Sequence, residues 1–151
     1  MYRILGIKKR SVEKGLILVA ATSEQLVRYV TYPDAAIRAK VLSTWPGPVT
    51  WLLPATTAVP DWIRGCHASV AVRVSAHPVV NALCSKVGAL VSTSANPEGL
   101  PPARTLRKVV WYFGDTLDYI VPGDVGALSA PTEIRDASSG AILRPGPRTL
   151  C

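Results

Sequence analysis

The chain has 151 residues, of which 48% are hydrophobic and 18% charged, so it can form one folded domain and is not a disordered chain. No apolar run approaches the roughly 20 residues of a membrane span, and the first basic run follows the first apolar residues, which is the wrong order for a signal peptide. The 17 Lys and Arg outnumber the 10 Asp and Glu, and the net charge of +7 favours an anionic partner such as a nucleotide, RNA or another phosphate.

The cysteines indicate the redox compartment. Cys66, Cys84 and Cys151 are odd in number and show no CxxC spacing. They support neither a disulfide framework nor a zinc site. We therefore expect free thiols in a reduced, cytoplasmic chain, without a membrane segment and without a metal held by the protein.

The first half of the chain predicts a strand, two helices and a second strand. The continuous apolar run 15–21 is typical of a strand buried on both faces. A helix is predicted to begin at Thr22, with Gln25 completing a capping box, and another to run from Pro33 to about residue 44. After a proline- and glycine-rich loop at 45–48, a strand is predicted at 49–53.

The second half continues the alternation of strands and helices. It predicts a strand at 69–74, a helix that opens at Pro78 and is closed by Gly88, a strand within 89–94, and a helix over 105–113. Short strands at 118–121, 132–135 and 141–143 complete the chain, and their hairpin-length links favour antiparallel pairing. The pattern as a whole predicts an α/β domain with a mixed sheet and flanking helices.

Arg73 lies in the predicted strand 69–74. There Val70, Val72 and Val74 would share one face of the strand, and Ala71 and Arg73 the other. A guanidinium among valines needs an anionic partner, because an unpaired buried charge is costly. That partner is either a ligand or, with equal weight on this residue alone, a carboxylate of the chain itself.

Hydroxyl and amide side chains follow the predicted strand within 89–94. Ser92, Ser94 and Asn96 are two residues apart and would project to one side beyond the carboxyl end of the strand, where open α/β sheets bind ligands. Such groups suit a nucleotide or an amino-acid substrate. The alternative is an ordinary Ser- and Asn-rich turn that leads to Gly99.

Basic residues precede the first predicted strand and follow the last. Lys8, Arg10 and Lys14 place three cations within seven residues, which suits a triphosphate because arginine can bind phosphate through two parallel hydrogen bonds. Arg144 lies at the end of the last strand. The alternatives are a solvated basic loop for the first group and a simple chain exit for Arg144.

The familiar local motifs of catalysis are absent from the sequence. It contains no Walker loop, no GxGxxG, no HExxH and no nucleophile elbow. His67, beside Cys66, is expected in a surface loop, and His77 at the entry of a helix. These residues therefore do not indicate a nucleophilic or metal-dependent centre.

Several segments in chain order resemble one protein family. They are KKR at 8–10 with KGLIL at 14–18, WPGPVT at 45–50, VAVRV at 70–74 with HP at 77–78, STSAN at 92–96 with Gly99, and IRD at 134–136 before ILRPG at 142–146. Each is weak alone, but in this order they cover nearly the whole chain. The chain thus resembles the YrdC family, the bacterial TsaC-type threonylcarbamoyl-AMP synthases.

The resemblance implies a fold and an activity. Family members have a twisted α/β sheet around a large basic cavity. They form threonylcarbamoyl-adenylate and pyrophosphate from L-threonine, bicarbonate and ATP, and downstream proteins transfer the threonylcarbamoyl group to adenosine 37 of tRNA. Because the reaction joins anions, we expect catalysis by positioning and charge neutralisation without a covalent nucleophile, with Mg²⁺ carried by the nucleotide.

The resemblance also implies roles for particular residues. The implied ATP-binding residues are Lys8, Arg10, Lys14, Ser69, Ser94, Asn96 and Arg144. The implied threonine-binding residues are Arg73, Ser92 and Thr132. Lys14 stands where some relatives have an asparagine, Thr132 stands where they have a serine, and Ser11 replaces the proline of the family's KxRP motif.

The start of the chain departs from the family. The family begins with a strand and a Pro-Thr-Glu segment that nothing here matches, and residues 1–5 instead look like the helix that follows. We therefore expect a single domain over 1–151, N-terminally truncated relative to the family. Two other functions stay open: a non-catalytic module that binds double-stranded RNA or tRNA, and an inactive fragment of the enzyme. Arg73 favours the enzyme, because non-specific RNA binding does not require a buried arginine.

Overall fold

The computed structural model describes residues 2–123 and 131–146. The helices are α1 (Tyr2–Lys8), α2 (Ala35–Leu42), α3 (Asp61–Arg64), α4 (Pro78–Val87) and α5 (Leu106–Phe113). The strands are β1 (Ile17–Ala20), β2 (Val49–Pro54), β3 (Ser69–Val74), β4 (Leu90–Ser92), β5 (Glu133–Asp136) and β6 (Ile142–Arg144). Short 3-10 turns lie at Val12–Lys14, Ser23–Leu26 and Gly114–Thr116. Within the described ranges, no helix is long and apolar enough to cross a membrane.

The strands form one mixed sheet of six strands in the order β4-β1-β3-β2-β5-β6. β1 pairs with β3, and β2 with β5, in parallel, and the remaining neighbours pair antiparallel. The last pair, β5 and β6, is the hairpin that its short link predicted. The α/β class with a mixed sheet and flanking helices is confirmed.

The side chains of β3 alternate between the core and the opposite face of the sheet. Val70, Val72 and Val74 are at most 2% exposed and belong to the main hydrophobic core, whereas Ala71 and Arg73 are only partly buried. This is the division that the alternation predicted. The register of the strand therefore keeps the guanidinium out of the apolar core.

β1 is covered on both faces, which accounts for its continuous apolar run. Leu18 and Ala20 belong to the main core, whereas Val19 packs with Cys84 of α4 in a second cluster. Burial of each such large side chain contributes about 1.5–3 kcal/mol. Gly88, with a φ of +85°, ends α4 as predicted, because this conformation is strained for other residues.

The helix predicted to begin at Thr22 is wrong, since a single 3-10 turn lies there. The side chain of Thr22 makes no capping hydrogen bond. Gln25 instead bridges two other elements: its Oε1 accepts from the Ala21 N–H at 2.9 Å, and its Nε2 donates to the carbonyl oxygen of Cys84 at 2.8 Å. The tertiary contact therefore uses the side chain that a capping box would need.

The strand predicted at 118–121 is also wrong, because these residues pair with no strand in the described part of the chain. Arg3 of α1 ties the segment to the surface by donating to Asp118 Oδ2 at 2.5 Å and to the carbonyl oxygen of Thr116 at 2.8 Å. Tyr119 is 76% exposed. The segment therefore lies on the surface and is held there by contacts with α1.

Candidate active site

A cavity of about 550 Å³ lies beside the partly buried face of β3. It is lined by residues 10, 14–17, 52, 63–64, 67, 69–71, 73, 92–94, 102, 131–132, 134 and 143–144. The sheet order explains the convergence, since β1 and β2 flank β3 and the β5–β6 hairpin pairs onto β2. Segments far apart in the sequence therefore meet at one site, of a size typical for small-molecule binding.

The cavity is strongly basic. Its charged lining residues are Arg10, Lys14, Arg64, Arg73 and Arg144. No Asp or Glu lies among the lining residues of the described part of the chain. The positive potential of such a site attracts anions and repels free cations.

Arg73 is the least compensated of these cations. Its Nε atom is buried and has no hydrogen-bond partner among the described residues, and no ion pair of Arg73 is found there. Burial, followed by the nearby Arg144, lowers the pKa of Arg73 from its ordinary value, although a guanidinium stays charged at neutral pH. The alternative of a local carboxylate partner is thus not what the described residues show, and the geometry calls for an external anion.

Arg144 is oriented by Thr132, the residue directly before β5. Its Nε and NH2 groups donate to the carbonyl oxygen of Thr132 at 3.0 and 2.8 Å. Burial lowers the pKa of Arg144. Because Thr132 also lines the cavity, this pair of hydrogen bonds fixes a cation and a hydroxyl-bearing residue on the same wall.

Arg10 and Lys14 lie on a tightly packed turn. The guanidinium of Arg10 donates to the carbonyl oxygen of Gly15 at 3.1 and 3.3 Å, and Lys14 is ion-paired with Glu98. A Cβ on Gly15 would come within 2.9 Å of the carbonyl oxygen of Arg64, and its φ is +62°. The close approach that only glycine permits therefore sets where these two cations enter the cavity.

Hydroxyl groups line the same cavity. Ser69 begins β3, Ser92 ends β4, and Thr93 and Ser94 continue from β4 into the following loop. Hydroxyls both donate and accept hydrogen bonds, so they suit the ribose, phosphate or hydroxyl groups of a ligand. Thr93 is an addition to the residues chosen from the sequence.

Lys8 and Asn96 are not lining residues of the cavity. Lys8 is only 5% exposed, and its Nζ donates to the carbonyl oxygens of Ser94 and Asn96 at 2.5 Å each. The Asn96 amide turns into its own loop and donates to the carbonyl oxygens of Pro97 and Leu100 at 3.1 and 2.6 Å. The structure therefore places both residues behind the wall that Ser94 lines.

Arg64 and His67 are lining residues that the sequence did not single out. Arg64 donates to Asp61 Oδ1 through Nε at 3.0 Å and NH2 at 2.5 Å, and to the carbonyl oxygen of His67 at 3.2 Å. The segment looked like a surface loop, and His67 is indeed exposed. Only its packing against the turn at Gly15 brings it to the cavity, and no local signal encodes that contact.

The thiols and the acidic residues form no further centre in the described ranges. Cys66 is free and exposed, and Cys84 is free and buried, with its pKa raised by burial. Cys151 lies outside the described residues. Among residues 2–123 and 131–146, no group of three or more His, Cys, Asp or Glu side chains is placed to hold a metal ion.

The sequence matches the family model named for Sua5, YciO and YrdC, described as telomere recombination, over residues 1–146. The chain therefore belongs to the Sua5/YciO/YrdC family, and the resemblance found in the sequence is confirmed. A threonylcarbamoyl-AMP synthase from Halorhodospira halophila is 52% identical over 143 residues, which cover 94% of this chain and 75% of that protein. One from Pseudomonas aeruginosa is 49% identical over 146 residues, covering 96% and 78%.

Solved structures agree with the fold. P. abyssi Sua5 complexed with L-threonine superposes with a TM-score of 0.88 at 28% identity, over 96% of this chain and 44% of that chain. E. coli YciO gives a TM-score of 0.80 at 22% identity, over 97% and 72%, and this likeness concerns the fold alone. The chain thus spans about three quarters of the curated relatives and less than half of Sua5.

Proposed function

We propose that this chain carries the active site of a threonylcarbamoyl-AMP synthase, a nucleotidyltransferase that forms threonylcarbamoyl-adenylate and pyrophosphate from L-threonine, bicarbonate and ATP. Relatives of that name at about 50% identity support the enzyme class. In the reaction, an oxygen of the N-carboxylated threonine bonds to the α-phosphorus of ATP, and the bond from that phosphorus to the pyrophosphate oxygen breaks.

The observation that carries the proposal is that Arg73 has no ion-pair partner among the described residues and lies in a basic cavity whose described lining includes no Asp or Glu. A carboxylate of an amino-acid substrate would provide the anion that this guanidinium lacks, through a charge-assisted pair of hydrogen bonds. Ser92 and Thr132 line the same cavity and would contact the rest of the threonine. A module that only binds RNA backbone needs no such partly buried arginine.

The phosphates of ATP fit the other cations. Arg10, Lys14 and Arg144 reach the same cavity, and Ser69 and Ser94 add hydroxyl groups on its wall for the rest of the nucleotide. Because ATP and bicarbonate are anions and threonine carries a carboxylate, bringing the reactants together and neutralising negative charge is the main catalytic task. No covalent nucleophile is required. Mg²⁺ would be coordinated by the phosphate oxygens of ATP, because it prefers oxygen ligands.

The later steps belong to the same proposal. The adenylate would pass to downstream threonylcarbamoyl-transferase proteins, which modify adenosine 37 of tRNA, and the positive net charge would help any encounter with tRNA. The chain would act in the cytoplasm as a single YrdC-like domain. The free thiols Cys66 and Cys84 are compatible with that reducing compartment.

A pyrophosphate-release assay tests the proposal. The chain is incubated with ATP, threonine and bicarbonate, and each component is left out in turn. We expect release that depends on all three, together with an adenylate product that carries threonine. Release that continues without threonine would reject the substrate assignment. Retention of tRNA in a binding assay, with no turnover under any condition, would instead favour the RNA-binding alternative.

A further inference from the structure

We propose that Lys8 is a positioning residue for nucleotide binding, which fixes the backbone of the loop 94–98 from behind and does not itself contact the phosphates. This inference rests on the proposed function, because it concerns how the same cavity recognises ATP. It departs from the role in phosphate binding that the resemblance implies for this lysine. The argument depends on where the Nζ atom lies and on what it bonds.

Lys8 holds the loop at three points. Its Nζ donates to the carbonyl oxygens of Ser94 and Asn96 at 2.5 Å each, and its own carbonyl oxygen accepts from the N–H of Glu98 at 2.9 Å. All three partners lie within five consecutive residues. One buried side chain at the end of α1 thus sets the path of a loop more than eighty residues away in the sequence.

The loop depends on this anchor to present its functional side chain. Ser94 lines the cavity, and its carbonyl oxygen also accepts from the N–H of Asn96 at 2.9 Å, which makes the turn compact. The amide of Asn96 closes the next turn on Leu100 at 2.6 Å. A shift of the backbone at Ser94 would therefore move a hydroxyl that faces the ligand, and small displacements of this kind weaken binding.

The burial of Lys8 separates it from the other cations of the motif. An ammonium has three donors, and here two of them are used on backbone carbonyls. Lys8 is only 5% exposed, whereas Arg10 and Lys14 line the cavity and so can reach a phosphate. Without the ammonium, the two carbonyl oxygens would lose strong, charge-assisted partners, and the loop would loosen as a unit.

The experiment compares a ligand that has phosphates with one that has none. Lys8→Met removes the ammonium, and Lys9→Met is the matched control, because Lys9 is exposed and its loss changes the net charge equally. Calorimetry measures ATP and adenosine separately. We expect Lys8→Met to weaken both ligands by a similar factor, roughly tenfold, and Lys9→Met to change neither by more than about twofold.

Amide hydrogen exchange supplies a readout without ligand. In Lys8→Met, the amides of Asn96 and Glu98 should exchange faster than in the wild type and in Lys9→Met. Lys8→Gln, which buries a neutral amide donor, keeps the test valid if the methionine variant fails to fold. It should show the same pattern with smaller changes.

The outcomes that overturn the proposal are distinct. Loss of ATP affinity in Lys8→Met with unchanged adenosine affinity would show that Lys8 contacts phosphate, and unchanged exchange at Asn96 and Glu98 would show that it does not fix the loop. A wild-type chain that binds neither ligand would overturn the proposed function, and with it the nucleotide role of Lys8. The exchange rates would still report whether the lysine holds the loop.

Discussion

Replacement of Arg73 by methionine should abolish tight threonine binding without destabilising the protein. Truncating one partner of a desolvated charge pair costs about 2–5 kcal/mol. Because Arg73 is only partly buried and the cavity is open to solvent, we expect the lower part of that range, about 2–3 kcal/mol, or a roughly 30- to 150-fold loss of threonine affinity. ATP affinity should fall less than about fivefold, since Arg10 and Lys14 still face its phosphates.

The expected effect on stability has the opposite sign from that of most buried substitutions. The Nε of Arg73 has no hydrogen-bond partner to lose among the described residues, and the ligand-free protein already bears the cost of burying this charge. Methionine retains much of the apolar stem and removes that cost. The ligand-free variant should therefore melt at the same temperature as the wild type or higher.

Calorimetric titrations with threonine and with ATP, together with thermal melts, decide the matter. Arg28→Met is the matched control, because Arg28 is an exposed cation stacked 5.3 Å from the Tyr29 ring centroid and its loss changes the net charge equally. This control should bind both ligands normally. An equal loss of threonine and ATP affinity in Arg73→Met, or a clear drop in its melting temperature, would refute the reasoning and make Arg73 a structural residue.

The other predictions concern the packing and pairing of the turn that carries Lys14. Glu98→Gln should tighten ATP binding a few-fold, because it removes the carboxylate that pairs with Lys14. The hydrogen bond from Lys14 lowers the pKa of Glu98, so in the wild type this carboxylate is protonated only below the ordinary range of glutamate. A pH series of titrations should therefore show the ATP affinity of the wild type approaching that of the variant only below that range. Gly65→Ala should lower the melting temperature far more than Gly88→Ala. A Cβ at residue 65 would lie 2.1 Å from the carbonyl oxygen of Glu13, whereas a Cβ at residue 88 would meet open space. At Gly88 only the strain of the positive φ is expected, about 1–2 kcal/mol. Equal losses in the two glycine variants would contradict the steric argument.

Much of the secondary structure could be predicted because it follows from neighbours along the chain. β3 lies where the alternation of Val70, Val72 and Val74 placed it, since a strand directs successive side chains to opposite faces. α4 lies between Pro78 and Gly88, because proline suits a first helical turn and glycine adopts the positive φ that ends a helix. These signals need no knowledge of the rest of the fold.

The predictions that were wrong depended on contacts between distant segments. Gln25 had the spacing of a capping box, but its amide donates to the carbonyl oxygen of Cys84, and only a single 3-10 turn lies at Ser23–Leu26. Residues 118–121 looked like a strand, but Arg3 holds Asp118 at the surface, and the segment pairs with no strand among the described residues. Strand formation requires a hydrogen-bonded neighbour, and the sequence of the segment alone does not state which one it has.

The composition of the candidate site was predictable only in part. Of the ten residues that the resemblance implied, eight line one cavity, and their chemical types alone indicated an anionic ligand. Arg64 also lines the cavity, because Gly15 and Gly65 let two backbone segments approach closely. A single glycine in the sequence does not predict such an approach. Lys8 was assigned to phosphate, but the fold buries it against the carbonyl oxygen of Ser94.

The sequence by itself thus determined the fold class, most elements and the basic character of the candidate site. These features depend on local propensity, side-chain alternation and residue chemistry, which can all be predicted from the sequence alone. Only the tertiary structure decided which cations reach the cavity and which support it from behind, because Lys8 and Ser94 are 86 residues apart. Contacts at such a distance arise from how the sheet, helices and turns pack together, and the spacing of residues along the chain does not encode them.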